Sequence, residues 1–245
     1  MTGRWSGCGA STPTSTIGAR STCCARAARS RWPRPSSRPR PAAIPEGAPS
    51  GVEIFHTFPR RRGAGVHDPG GVLHVPRDRQ GFGRFDARDR YGAFYFSLLA
   101  VSAVAEQIQA FRGRELTDAA LRRADGSRLA LARLELADGT RLVNLDDPAQ
   151  LLARAMRPSH VATSDRTRTR RIGERLFDEG SDGLLWWSAL EASWPNGVVY
   201  AERALDRCRP IGDPEVLTLD HLTVIEAAAA LGIGIGGGMD ATIGR

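Results

Sequence analysis

The stretch GRFDARDRYGAFYFSLLAVSAVAEQI, residues 83–108, decides the fold. Its centre, GAFYFS at 92–97, is a short aromatic run entered through a glycine, the pattern of a buried strand. From Ser97 to Phe111 the period changes. Leu98, Val101, Ala105 and Ile108 recur at steps of three and four and so share one helix face, and Gly113 suits the exit. A strand that runs directly into a helix carries Arg84, Tyr95 and Glu106 at two equal steps of eleven residues. The spacing puts an arginine before the strand, a phenol within it and a carboxylate on the helix.

Working outward, GVEIFHTF (51–58) is β-branched and aromatic and predicts a first strand. Residues 60–83 are rich in Gly, Pro and Arg and predict a long loop, a type that is usually functional or mobile. SRLALARLEL (127–136), Asp138-Gly139 and TRLVNL (140–145) predict a hairpin with DG as its turn. DDPAQLLARAM predicts a short helix with an Asp cap and Pro148 in its first turn. SDRTRTRRIGERLFDEG (164–180) predicts a helix ending near Gly180. GLLWW (183–187) and GVVYAER (197–203) predict buried strands. EVLTLDHLTVIEAAAALG predicts a short strand leading into a last helix, and GIGIGGGMDATIGR a Gly-rich tail. No regular βαβ rhythm exists. GIGIGGG has no strand–helix unit after it, so it is not a dinucleotide fingerprint. P-loop, GxSxG, HExxH and EF-hand spacings are absent. The fold class is α+β, a strongly bent mixed sheet with helices packed on it.

The net charge of +7 suggests a nucleic-acid binder until its distribution is read. Residues 1–50 hold eight arginines against the single acid Glu46, which accounts for all of it; the other 195 residues carry 26 basic and 26 acidic groups. No direct nucleic-acid binding is therefore expected of the domain. The first fifty residues are Ser-, Pro-, Ala- and Arg-rich without an apolar period, and are expected to be disordered. The chain contains no lysine, a bias expected of a GC-rich coding sequence, so an over-early start is a further expectation, with the working protein beginning near Gly51. Three of the four cysteines lie in that segment; Cys208 alone lies in the domain, with no CxxC metal spacing. A reducing cytoplasm fits this usage. No apolar run approaches the roughly 18 residues that span a bilayer. The organisation expected is a disordered segment at 1–50, a domain at 51–235 and a flexible tail at 236–245.

GRFD…Y…AVAE, followed much later by DGLLWWSALEASWPNGVVYAER, resembles the RES domain, the toxin of bacterial toxin–antitoxin pairs. Arg84, Glu106 and Ser188 match the family's three named residues, Tyr95 its tyrosine, and Asn196 the asparagine before its late strand. The resemblance covers roughly residues 52–235. It implies an ADP-ribosyltransferase-like fold, NAD⁺ as substrate rather than cofactor, and an antitoxin partner with an Xre-like helix-turn-helix region that blocks the NAD⁺ pocket and is the route to any oligomer. Many family members carry an arginine in the first strand, where this chain has His56, with Arg60 beyond it.

Cleaving the nicotinamide–ribose bond passes through an oxocarbenium-like transition state, as glycoside hydrolysis does. A fixed carboxylate gains attraction as that charge develops and so lowers the barrier. Glu106 is expected in that role. Arg84 is expected to fork onto the pyrophosphate. Tyr95 is expected to stack on nicotinamide or turn its hydroxyl to the ribose. Ser188, Asn196 and His56 are expected as further NAD⁺ contacts. This chemistry calls for no metal. Phosphorolysis or hydrolysis is the leading reaction, with protein ADP-ribosylation on the same fold or a silent binding domain as alternatives. Trp186, Trp187 and Trp194 are expected in the core.

Overall fold

The computed structural model describes residues 51–236, and the expectations for 1–50 and for the tail beyond Gly236 lie outside them. In chain order the strands are β1 (Gly51–Arg60), β2 (Ala93–Ser97), β3 (Glu115–Leu116), β4 (Arg128–Ala137), β5 (Leu142–Asn144), β6 (Gly183–Trp187), β7 (Pro195–Tyr200), β8 (Cys208–Val216) and β9 (Gly234–Ile235). The helices are α1 (Ala100–Ile108), α2 (Pro148–Ala153), α3 (Pro158–Val161), α4 (Arg166–Asp178), α5 (Ala201–Ala204) and α6 (Leu222–Leu231). The class is α+β. Seven strands form one mixed sheet in the order β5-β6-β7-β2-β1-β4-β8, parallel only between β5 and β6.

Strand alternation explains how the sheet is covered. One face presents Ile54 and Phe58 of β1, Phe94 and Phe96 of β2, and Leu134 and Leu136 of β4. These pack together with Leu142 of β5 and Leu185 of β6. Strands from distant places in the sheet order meet over one cluster, so the sheet is bent around it. The other face carries two separate helical layers. Val143, Leu184, Trp186 and Val198 pack with Leu151 of α2, Val161 of α3 and Ile172 and Leu176 of α4. Leu129 and Leu131 of β4 pack with Ala103, Val104 and Ile108 of α1 and Val224, Ala227 and Leu231 of α6.

The local signals hold at several ends. Asp147 accepts from the Ala149 amide and caps α2 with Pro148 behind it. Asp165 accepts from the Arg168 amide and caps α4, and Gly180 at φ 86° leads the chain away. Gly232 ends α6 in the left-handed region.

Three expectations are corrected. The hairpin does not form. Gly139 turns at φ 76° as a DG turn requires, but β5 does not return alongside β4 and stands at the far end of the sheet order. Arg141 is captured by Asp182, its amide donating to the carboxylate and its carbonyl accepting from the Asp182 amide, so β5 pairs with β6 and not with β4. The strand at 197–203 stops at Tyr200, and Ala201–Ala204 turn helical. The short strand before the last helix is the long β8, and Gly234–Ile235 pair in parallel with β3. No helix among the described residues is long and apolar enough to cross a membrane.

Candidate functional site

β1 pairs with β4 from Gly51↔Ala137 to Arg60↔Arg128. On its other side it meets β2 only at Phe55↔Ser97. Past that pair the two strands part, on the face that carries the helices and between the two helical layers. A cleft of about 330 Å³ opens at the fork, lined on one side by Phe55 and Thr57 and on the other by Tyr95, Ser97 and Asn196.

Glu106 enters this cleft from α1. That helix starts three residues after β2 and buries Ser102, Ala103, Val104 and Ala105 between the sheet and α6, small side chains that permit close approach. Ser102 and Glu106 stand four apart and so share one side of the helix. Asn196, buried on β7, bonds both. Its Oδ1 accepts from Ser102 Oγ at 2.8 Å and from Ser97 Oγ, and its Nδ2 donates to Glu106 Oε1 at 2.9 Å. Ser188, at the end of β6, donates to the same Oε1 at 2.8 Å and accepts from the Leu190 amide. Gln109 donates to Oε2 at 3.0 Å. The carboxylate is thus gripped from behind through Oε1, while Oε2 is shared only with an exposed side chain that a ligand hydroxyl can displace.

Tyr95 is fixed as firmly. Its hydroxyl donates to Asp86 Oδ1 at 2.7 Å and accepts from the Phe85 amide at 2.9 Å. Asp86, 4% exposed, also accepts from the Gly81 and Gly83 amides and so pins the 81–86 loop across the strand. Burial, and then the Asp86 charge, hold the phenol pKa well above its ordinary value, so the hydroxyl stays protonated as Asp86's donor. It is not free for a ribose. The ring is what remains, edge-on to Trp186 at 6.1 Å between centroids. Trp186 is at once core and cleft wall.

Arg84 Nη1 donates to the Val161 and Thr163 carbonyls, at 3.0 and 2.8 Å. Its own carbonyl accepts from Thr169 Oγ1 on α4. Two carbonyls on one nitrogen fix the plane of the guanidinium and leave Nε and Nη2 unclaimed among the described residues. Burial, and then the neighbouring positive Arg166, lower its pKa from the usual value, which still leaves it a cation at neutral pH. Arg166, the first residue of α4, lines the same cleft.

The structure therefore brings Arg84, Tyr95, Glu106 and Asn196 to one cleft and places Ser188 behind Glu106, 2% exposed, where it holds the carboxylate. His56 reaches the cleft, but its Nδ1 bonds the Tyr95 carbonyl at 2.8 Å. A carbonyl only accepts, so Nδ1 carries the proton. The ring lies parallel to Phe58 and tilted against Phe94, on the bent sheet's inner cluster. Burial pushes its pKa down to about 4, against a smaller upward pull from the Tyr95 carbonyl, so it is neutral at neutral pH. It is not the cation that an arginine would be.

The sequence model of the RES domain matches residues 58–220. The chain belongs to the RES-domain family. Its fold is also similar to a chain in the crystal structure of the M. tuberculosis MbcT-MbcA toxin-antitoxin complex, with a TM-score of 0.50 and 16% identity over 69% of this chain and 85% of that one. No curated protein sequence matches.

In this RES domain, sequence reasoning missed Ser97, Ser102, Asp86 and Arg166. Ser102 had a signal, its four-residue step to Glu106; Asp86 stood inside the GRFD motif. Arg166 had none, since α4 holds five arginines. Among the described residues no group of three or more His, Cys, Asp or Glu is placed to hold a metal ion.

Proposed function

We propose that this RES domain is the toxin of a toxin–antitoxin pair and cleaves the nicotinamide–ribose bond of NAD⁺, with phosphate or water as the acceptor. The observation that carries this is Glu106: a carboxylate fixed by Ser188 and Asn196, presented to an open cleft whose other charges are guanidiniums. Nicotinamide leaves with the bonding electron pair as a neutral base, and positive charge grows on the ribose. An anion already oriented stabilises that charge without reorganising. The Tyr95 ring and Trp186 form the aromatic walls for nicotinamide, and Arg84 takes the phosphates. His56, neutral and bonded to the strand, keeps the fork in shape. The oxygen nucleophile then adds to the ribose carbon and loses its proton, giving ADP-ribose with water or its 1″-phosphate with phosphate. The antitoxin, expected to be of the Xre-like helix-turn-helix type, would cover this cleft.

Proton NMR of NAD⁺ incubated with the protein, with and without inorganic phosphate, tests the reading. Nicotinamide release is expected, and phosphate dependence names the acceptor. In Glu106→Gln the amide oxygen still accepts from Ser188 and Asn196, so stability should change by less than about 1 kcal/mol. Turnover should fall at least about 100-fold, the order of loss seen when an oriented electrostatic group is removed. Undiminished release by E106Q sinks the assignment.

A further inference from the structure

We propose that Arg166 is a second phosphate-binding residue of the cleft, and that with Arg84 it forms a clamp selecting ligands that carry a diphosphate; this rests on reading the cleft as an NAD⁺ site.

Two guanidiniums of like charge share one concave wall. Burial first, and then the positive charge of Arg166, lower the pKa of Arg84. In a folded domain such a pair usually has a carboxylate between its members. Here the one carboxylate of the cleft lining, Glu106, acts on Arg84 through its charge and is hydrogen-bonded by Ser188, Asn196 and Gln109, with no salt bridge to either guanidinium among the described residues. Arg166 has no side-chain hydrogen bond or ion pair among the described residues, although exposed arginines elsewhere do: Arg61 with Asp125, Arg90 with Asp178, Arg175 with Glu179. The cleft lining thus holds two guanidiniums against one carboxylate, a net positive charge that suits an anion.

The geometry narrows the anion. Arg84 is held in a fixed plane by the Val161 and Thr163 carbonyls, and Thr169 of α4 ties its backbone to the helix that begins with Arg166. Loop 161–165 therefore sets both cations as one unit. A rigid fork suits one phosphate group bidentately. A second guanidinium, exposed on the first turn of α4 and without a side-chain partner among the described residues, suits a second phosphate linked to the first. His56 contributes no positive charge from the opposite strand, so the clamp is built from one side of the cleft.

Calorimetric titration of the full chain with ADP, NAD⁺ and nicotinamide riboside tests this, on wild type, Arg166→Gln and Arg168→Gln. Both substituted residues are exposed on the first turn of α4, and Arg168 does not line the cleft. R166Q should weaken ADP and NAD⁺ binding at least about tenfold, as loss of a charge-assisted bond does. It should leave the riboside within about twofold, and R168Q should bind ADP and NAD⁺ like wild type. Wild-type ADP affinity in R166Q overturns the clamp, and so does an equal loss in R168Q, which would mean diffuse surface charge. If ADP binds through Arg166 but NAD⁺ releases no nicotinamide, the clamp stands and the NAD⁺-cleaving reading falls. If NAD⁺ is cleaved with Glu106 dependence and R166Q binds it normally, the reverse holds.

Discussion

The two sides of β1 are built differently. Toward β4 the ladder runs the whole length of the strand, from Gly51↔Ala137 to Arg60↔Arg128. Toward β2 there is one register pair, Phe55↔Ser97, and beyond it backbone groups of β2 are met by side chains. Gln80 supplies both an acceptor for the Ala93 amide and a donor for its carbonyl. His56 donates to the Tyr95 carbonyl. A buried strand cannot leave its polar groups unpaired, so opening a cleft between two strands requires substitutes. Side chains do here what a ladder does elsewhere, and the same side chains form or border the site. Stability on the β4 side is spread over many equal bonds. On the β2 side it rests on a few residues, each of which should be costly to change.

Asn196 should show the largest effect. Its amide ties Ser97 of β2, Ser102 and Glu106 of α1, and β7 into one buried network. Asn196→Leu leaves the Ser102 hydroxyl without an acceptor, the Ser97 hydroxyl with only the 3.4 Å contact to Ser102 Oγ, and Glu106 without one of its donors. The expected cost is about 2–4 kcal/mol, since each unsatisfied buried group costs about 1–3. Urea unfolding measures it. The corresponding break on the β4 side is Glu53→Ala, which removes an exposed partner of Arg133 and should cost no more than about 0.5 kcal/mol. Equal costs at both positions would erase the distinction between the two sides.

His56 gives the next effect, and it depends on pH. Its pKa is about 4 in the fold and about 6.5 in the unfolded chain. Between these values the unfolded state binds more protons than the folded state, so stability rises with pH. Read downward, stability starts to fall near pH 6.5, and the loss is complete by about pH 4. Its size is on the order of 3 kcal/mol. His56→Gln keeps an amide donor for the Tyr95 carbonyl and removes the titration. Subtracting its stability–pH curve from that of wild type should leave a slope confined to this window, and a flat difference would show that the histidine charges as easily folded as unfolded.

The same asymmetry explains what could be read from the sequence. Local patterns were sufficient for the β2–α1 unit, for the Asp147 and Asp165 caps and for the exit at Gly180. Arg84, Tyr95 and Glu106, which the fold brings to one cleft, were singled out by the resemblance to the RES domain and not by local pattern. Local patterns failed where two distant segments compete for one edge. The DG turn at 138–139 is real, but Asp182, far along the chain, captures Arg141 and turns the expected hairpin into a crossover. They failed also where a residue's role depends on a partner across the sheet. Ser188 reads as a ligand contact until it is seen behind Glu106, and the Tyr95 hydroxyl reads as free until Asp86 is seen to hold it. The fork between β1 and β2 leaves no local mark, because FHTF has the alternation of an ordinary strand.

Thr57 offers the smallest and most delicate test, because its sign carries the information. It lies on β1 at the fork, 5% exposed, and its hydroxyl has no hydrogen-bond partner among the described residues. On the β4 side an orphan of this kind would be a defect. At the fork Thr57 has no register partner on β2, and it lines the cleft. Valine has the same shape without the hydroxyl, so Thr57→Val removes an unpaired buried group and fills its space with a methyl. The expected outcome is a gain of about 1 kcal/mol, or a rise in Tm of about 2–4 °C for a domain of this size. A scanning calorimeter resolves that. A loss instead of a gain would mean that the hydroxyl is satisfied in solution, by water entering at the fork. The β1–β2 junction would then be a hydrated opening and not a dry gap closed by side chains.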